Sequence, residues 1–133
     1  MKNFIGTKTG QNLHLAAFDP QEVLSQRTRI RQKIKWVVGD KEYWVNMKSQ
    51  RYDIFAKSLV CATCRLKGVV MMLDIQPTQK DAKPHFNLYA IKGGELVLMT
   101  KDHIVPTSKG GSYKFSNCQT MCSPCNARKK DNI

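Results

Sequence analysis

The 133-residue sequence has no long hydrophobic run, few acidic residues and only three histidines. No apolar segment approaches the roughly 20 residues that a membrane-spanning helix needs. Residues 1–10 lack the apolar core of a signal peptide. We therefore expect a cytoplasmic protein with no membrane partner. Internal repeats and low-complexity stretches are also absent from the sequence, and its length fits one compact domain with an N-terminal extension.

The scarcity of acidic residues leaves a strong positive charge. Twenty-two Lys and Arg against ten Asp and Glu give a formal net charge of +12. Such an excess attracts polyanions, of which nucleic acid is the commonest. An acidic protein, a membrane surface or a role in solubility alone are the alternatives. The charge therefore favours a nucleic-acid partner.

Local patterns predict the order of helices and strands. Asp19-Pro20 is a typical helix start, and the partial apolar periodicity that follows predicts a helix to about Val38. A run of basic residues would cover the rest of this helix: Arg27, Arg29, Arg31, Lys33 and Lys35. The run indicates either a DNA-contacting helix or a solvated basic surface.

The remaining patterns predict short alternating elements. A strand is expected over 42–47 and a helix after Ser49, with Tyr52, Phe55 and Leu59 on one face. Further strands are expected over 69–75, 86–91 and 96–100, the last two as a hairpin, and a final helix over 123–130.

Four of the five cysteines form two CxxC pairs, Cys61/Cys64 and Cys122/Cys125. A chain without a secretory signal is not expected to use them as a disulfide framework. Their spacing matches a Cys₄ zinc site, in which four protein ligands leave no open position on the ion. We therefore predict a structural Zn²⁺; redox-active or merely buried cysteines are the alternatives. Cys118 is expected to be a small core residue.

The second CxxC pair belongs to an ordered set of polar residues and glycines. Asp102-His103 is followed by Gly110-Gly111, then by Asn117, and Asn126 comes directly after Cys125. Together with the upstream CxxC pair, this set resembles the HNH endonuclease family. The resemblance is closest to the phage-like and bacterial branch that has a Cys₄ zinc and Asn as the last letter of the motif. It covers residues 61–131 and implies an α+β fold, a ββα-metal core braced by zinc, with an N-terminal helix and strand added.

The resemblance also implies a role for each polar residue. His103 would be the general base, Asp102 and Asn126 would bind a catalytic divalent ion (Mg²⁺ or Mn²⁺), and Asn117 would hold His103 in orientation. Phosphodiester hydrolysis needs these residue types, because imidazole can take a proton from water and oxygen ligands suit a hard cation. Taken singly, each also has a structural alternative: a core histidine, a turn-capping Asp or Asn, or a residue of the last helix.

Basic residues near this set in sequence are candidates for contact with DNA phosphates or for solvated surface charge. They are Lys101, Lys109, Arg128, Lys129 and Lys130. We assign no catalytic role to His14 or His85.

These patterns predict an accessory DNA-binding region over residues 1–58 and a zinc-braced nuclease domain over 59–133. The predicted activity is hydrolysis of DNA phosphodiesters with one divalent ion and a histidine base. The alternatives are a non-catalytic zinc-ribbon protein that binds nucleic acid, and a nuclease that acts on RNA. The sequence makes no prediction of the oligomeric state.

Overall fold

A six-stranded antiparallel sheet forms the centre of the computed structural model, which describes residues 3–129. Its strands are β1 (Lys8–Thr9), β2 (Asn12–Phe18), β5 (Val70–Ile75), β6 (His85–Lys92), β7 (Glu95–His103) and β8 (Cys118–Cys122). They lie in the order β1-β2-β5-β6-β7-β8. The mixed α and β content agrees with the predicted class. The candidate residues lie at the β7–β8 edge of this sheet.

A separate hairpin, β3 (Lys33–Val38) and β4 (Lys41–Asn46), occupies much of the predicted N-terminal helix. The prediction of a helix to Val38 is therefore wrong. Only α1 (Pro20–Leu24) is helical, and the Asp19 side chain accepts a hydrogen bond from the Gln21 N–H at 2.8 Å. From Lys33 onward, lysines alternate with Ile34 and the buried Trp36, and this period of two together with β-branched residues favours a strand.

The basic residues of that segment consequently lie on a loop and a strand. Arg27, Arg29 and Arg31 belong to the connection between α1 and β3. Its backbone is held at Thr28, whose N–H donates to the Met47 carbonyl at 3.2 Å, and at Gln32, whose carbonyl accepts from the Met47 N–H at 3.2 Å. The predicted basic helix over residues 19–38 is therefore absent.

The two remaining helices flank the β7–β8 edge. They are α2 (Gln50–Lys57) and α3 (Ser123–Lys129). The Ser49 hydroxyl caps α2 by accepting from the Arg51 N–H at 3.3 Å, as the sequence predicts. Tyr52 and Phe55 are buried, and both helices contact β7 and β8. None of the helices within residues 3–129 is long and apolar enough to cross a membrane.

The main hydrophobic core joins the hairpin to the sheet. Trp36 of β3 contacts Phe86 of β6 edge-on, with ring centroids 4.8 Å apart, and Phe18 of β2 contacts both rings. Residues on both sides of the 58/59 boundary therefore share one core. The division into an accessory and a nuclease region stays a prediction.

A buried polar cluster lies where β2, β5 and β6 meet, away from the β7–β8 edge. The Asp74 carboxylate accepts from the Tyr89 hydroxyl at 2.6 Å and the Asn87 amide at 2.8 Å, and pairs with His14 Nδ1 at 2.6 Å. His14 Nε2 lies 2.8 Å from the Thr9 hydroxyl. Because every one of these buried groups has a partner, we interpret the cluster as structural.

The predicted β6–β7 hairpin is confirmed. Lys92 pairs with Glu95 across a two-residue turn, where Gly93 and Gly94 adopt φ values of +60° and +78°. A turn with positive φ at both central residues matches the twist of the antiparallel strands that it joins. The structure adds β8, which the sequence analysis missed because Cys118–Cys122 is short and follows a long loop.

Candidate active site and zinc centre

The four predicted cysteine ligands form one cluster. The Sγ atoms of Cys61, Cys64, Cys122 and Cys125 all lie within 4.8 Å of one another. The Cys64 and Cys122 sulfurs are 3.7 Å apart, close to the roughly 3.8 Å separation that tetrahedral ligands with 2.3 Å Zn–S bonds require. Among residues 3–129, this is the only group of three or more His, Cys, Asp or Glu that could hold a metal ion.

The local backbone brings together the two cysteines of each CxxC pair. Cys61 and Cys64 lie in a turn closed by the Arg65 N–H, which donates to the Cys61 carbonyl at 3.0 Å. Cys122 ends β8 and Cys125 lies in the first turn of α3. An ion held by these four predicted ligands would therefore lie at the β8–α3 junction.

Burial and local hydrogen bonds shift the pKa of three thiols in the cluster, and not all in the same direction. Burial opposes ionisation of Cys61, but N–H groups of Cys122, Cys64 and Thr63 donate to its sulfur and bring its pKa down to about 6. Burial raises the pKa of Cys122 and Cys125. A bound cation would favour the thiolate at all four positions.

Cys118 lies outside this cluster. It is buried on β8, opposite His103, and its sulfur faces the Gln50 side-chain oxygen at 3.8 Å. This agrees with the expectation of a small core residue.

Asp102 is a buried carboxylate on the face of β7 that packs against α3. Its Oδ2 accepts from the Lys129 ammonium at 2.9 Å and from the Gln119 amide at 3.0 Å. The side chains of Asp102 and Lys129 are only 7% and 17% exposed. The negative charge is therefore compensated inside the protein, as a buried charge requires.

Asn126 lies on the same side of the sheet as Asp102. Its amide donates to the Thr100 hydroxyl at 2.9 Å. Thr100 and Asp102 are two residues apart on β7 and face the same way, while Asn126 and Lys129 are three apart on one face of α3. The β7–α3 contact thus brings the two predicted ligands of the catalytic ion to one surface.

His103 is the last residue of β7 and leaves the strand on the opposite side from Asp102. Its ring lies edge-on to Tyr113, with centroids 5.2 Å apart. Its Nε2 is buried and has no hydrogen-bond partner within the described residues. Unpaired buried polar atoms are rare in folded proteins, so this nitrogen calls for an explanation.

Asn117 closes the loop that follows His103. Its side-chain oxygen accepts from the Val105 N–H at 3.0 Å, and its amide donates to the carbonyls of Val105 at 3.1 Å and Ser112 at 2.7 Å. Its own carbonyl accepts from the Ile104 N–H at 2.8 Å. Asn117 therefore contacts the backbone after His103 and not the imidazole ring.

Gly111 lets this loop close. A Cβ atom at residue 111 would lie 1.7 Å from the Val105 carbonyl oxygen. No side chain fits there without moving the backbone. The Gly110-Gly111 pair of the sequence thus allows the chain to pass close to the segment that follows His103.

The five basic residues proposed as phosphate contacts differ in their surroundings. Lys129 points inward, because its ammonium also binds the carbonyls of His103 at 2.6 Å and Ile104 at 3.2 Å. This ammonium is therefore engaged within the protein, and its contact with a phosphate stays a prediction. Lys101 donates to Gln50 Oε1 at 3.0 Å, Arg128 to Cys125 Sγ at 3.0 Å, and Lys109 is exposed. Lys130 lies outside the described residues.

A comparison with protein-family models finds a match in the C-terminal part of the chain. A model of the HNH endonuclease family matches residues 92–133. The resemblance to HNH endonucleases is confirmed. We call residues 92–133 the HNH segment; it contains β7, β8, α3 and every predicted catalytic residue. No curated protein and no solved structure matches the chain.

The HNH family implies nuclease activity on a nucleic-acid substrate.

The sequence analysis missed several contacts around the HNH segment. Gln50 binds the Tyr113 carbonyl at 2.9 Å as well as Lys101, although these residues are far apart in sequence. Lys129 was treated as a surface charge, yet its spacing of three residues from Asn126 puts both on one helix face.

Proposed function

We propose that this protein is a metal-dependent DNA endonuclease whose active site lies at the end of β7. The observation that carries the proposal is the arrangement of three neighbouring groups. Asp102 and Asn126 lie on the β7–α3 surface, and the next residue of β7, His103, has an unpartnered ring nitrogen. A phosphodiester lying across the end of β7 would contact both sides of the strand.

A structural zinc ion belongs to this proposal. The cysteine cluster has the sulfur ligands and spacing that Zn²⁺ uses in four-coordinate sites. Cys122 and Cys125 flank the β8–α3 junction, and Asn126 follows directly. Bound zinc would therefore fix the start of α3 and, through it, the position of the Asn126 side chain.

The donor groups on the other surface fit a hard divalent cation such as Mg²⁺ or Mn²⁺. One carboxylate and one carboxamide supply oxygen ligands, and such ions commonly take their remaining ligands from water and phosphate. Both protein donors to Asp102 bind Oδ2, so Oδ1 is the oxygen through which Asp102 would hold an ion. When bound, the ion would neutralise charge on the phosphate and support the leaving oxygen.

His103 would take the proton from the attacking water. Its Nε2 is buried and has no partner within residues 3–129, so it would be available to a substrate-bound water once Tyr113, which stands edge-on to the ring, makes room. General-base catalysis of this kind contributes typically about 10²–10⁴ in rate. Asn117 and Lys129 would position His103 by fixing the backbone at His103 and at the two residues that follow it.

Cleavage of supercoiled plasmid by the zinc-loaded protein tests this function. We expect nicked or linear product only when Mg²⁺ or Mn²⁺ is added, and much slower cleavage of an RNA of similar length. Plasmid that binds but stays intact with every ion would favour the alternative of a non-catalytic zinc-ribbon protein. Faster cleavage of RNA would move the substrate class from DNA to RNA.

A further inference from the structure

A groove lined mostly by residues that precede the HNH segment lies beside the candidate active site. The loop at Arg27–Arg29, the first two turns of α2 and Phe115 line it, and its volume is about 620 Å³. Phe115 is the one lining residue that the groove shares with the loop that follows His103. Nothing in the sequence analysis predicted this groove, because its walls come together only after residues 19–38 fold as a short helix, a loop and a hairpin.

The charge of the groove is strongly positive. Arg27, Arg29, Lys48 and Lys57 line it and are exposed, against the single carboxylate of Asp53. Asp53 pairs with Arg27, with Oδ1 and Nε 3.2 Å apart. Among residues 3–129, three cations of the groove therefore have no compensating carboxylate in it. A concave surface of one charge attracts an extended polyanion.

An exposed aromatic ring adds a second kind of contact. Phe115 is 43% exposed, and the Lys57 ammonium lies 5.0 Å from the centre of its ring. Basic grooves that also present aromatic rings are typical of single-stranded nucleic-acid binding, because the phosphates meet the cations while an unpaired base stacks on the ring. A duplex hides its bases in the stack and could use only the cations.

One side chain connects the groove to the candidate active site. Gln50 lines the groove, and its amide donates to the Tyr113 carbonyl at 2.9 Å while its oxygen accepts from Lys101 at 3.0 Å. The Tyr113 ring in turn contacts the ring of His103. The wall of the groove is therefore joined to the residue that contacts His103.

We propose that this groove binds a single-stranded stretch of the DNA substrate next to the phosphodiester that is cleaved. The proposal rests on the proposed nuclease function and adds a substrate class to it: DNA with an unpaired segment beside the cut, such as a flap, a gap or a displaced strand. Arg29, Lys48 and Lys57 would bind successive phosphates, and Phe115 would stack with a base.

Binding of fluorescein-labelled oligonucleotides, measured by anisotropy without added Mg²⁺ or Mn²⁺, tests the groove apart from cleavage. We expect the full-length protein to bind a single strand more tightly than a duplex of equal length. Phe115→Ala should weaken single-strand binding about tenfold, within the range of base-stacking contributions, with a smaller effect on the duplex. Phe115→Leu, which keeps an apolar side chain but no ring, should behave like Phe115→Ala.

The double variant Arg29→Gln/Lys48→Gln should also weaken binding and reduce the salt dependence, by about 1.4 in the slope of log K against log salt for two lost phosphate contacts. The matched control is Lys80→Gln/Lys83→Gln, which removes two exposed lysines outside the groove. Equal effects of both double variants, tighter binding of duplex, or no effect of Phe115→Ala would overturn the proposal. His103→Ala should bind the single strand as the wild type does, so that loss of cleavage and loss of groove binding are distinguishable.

Discussion

Lys129 is the residue on which the backbone around the candidate base depends most directly. Its ammonium binds the Asp102 carboxylate and the two successive carbonyls of His103 and Ile104. A lysine placed in this way compensates a buried negative charge and fixes the end of β7 at the same time. It acts on His103 through the main chain, so it is a positioning residue rather than a catalytic one.

Replacing Lys129 by Met should therefore lower both stability and activity. The variant leaves the Asp102 carboxylate without its cation, and we expect a loss of about 2 kcal/mol in the free energy of unfolding, measured with urea. Cleavage should fall about tenfold or more, as for other residues that orient an active-site ligand. Lys80→Met, at an exposed position, is the control. Wild-type stability and cleavage in Lys129→Met would show that the three contacts are unimportant.

Tyr89 gives the protein a specific sensitivity to alkaline pH. Burial raises the pKa of its hydroxyl well above the usual value, and the hydrogen bond to Asp74 acts in the same direction. In the unfolded chain the group ionises near pH 10. Its contribution to stability is therefore complete below about pH 10 and is lost as the pH rises towards the raised native pKa, with a slope of up to about 1.4 kcal/mol per pH unit.

The comparison of wild type with Tyr89→Phe at several pH values isolates this effect. We expect the free energy of unfolding of the zinc-loaded wild type to fall more steeply above pH 10 than that of Tyr89→Phe. Tyr113→Phe, at a tyrosine that is 69% exposed, should leave the wild-type slope unchanged. Parallel curves for wild type and Tyr89→Phe would contradict the claim that the raised pKa of Tyr89 causes the loss of stability above pH 10.

Among the elements, we expect the β8–α3 junction to depend for its stability on zinc bound by the cysteine cluster. Chelation of zinc should loosen α3, which carries Asn126 and Lys129, and lower the melting temperature by more than about 10 °C. Cys64→Ala should reproduce both effects and reduce the zinc content below one ion per chain. Cys118→Ala is the matched control, because Cys118 lies outside the cluster and its variant should retain zinc. Full zinc content in Cys64→Ala would contradict a four-cysteine site.

The sequence predicts those elements whose turn or cap residues are adjacent to them in the chain. The β6–β7 hairpin has paired glycines at its turn, and α2 has a serine cap with a buried aromatic face. The helix predicted over 19–38 was wrong because its apolar residues also suit a strand period, and burial of Trp36 against Phe86 decided between the two patterns. Propensity and period alone do not contain that long-range contact.

The sequence predicts which residues form the candidate site, and this stays a prediction, but it does not predict the contacts that these residues make. Spacing identified the four cysteines, and the ordered set identified Asp102, His103 and Asn126. The contact of Gln50 with Tyr113 spans 63 positions in sequence, and the inward direction of Lys129 depends on how α3 packs on β7. Neither follows from a motif, because both arise from tertiary packing.

For the whole molecule, part of the excess of positive charge is concentrated on one concave surface. The groove at α2 collects four cations and lies beside the HNH segment. The N-terminal elements that build it share a core with the sheet that carries the candidate active site. Recognition of substrate and cleavage would therefore be performed by two neighbouring surfaces of one fold, linked through Gln50.

The central claim is that His103 is the base of a metal-dependent nuclease. The most direct test compares plasmid cleavage by wild type, His103→Ala and the control His85→Ala, at equal zinc content and with added Mg²⁺ or Mn²⁺. We predict that His103→Ala cleaves at least about a hundredfold more slowly than wild type, while His85→Ala cleaves at the wild-type rate. Equal cleavage by wild type and His103→Ala would contradict the account.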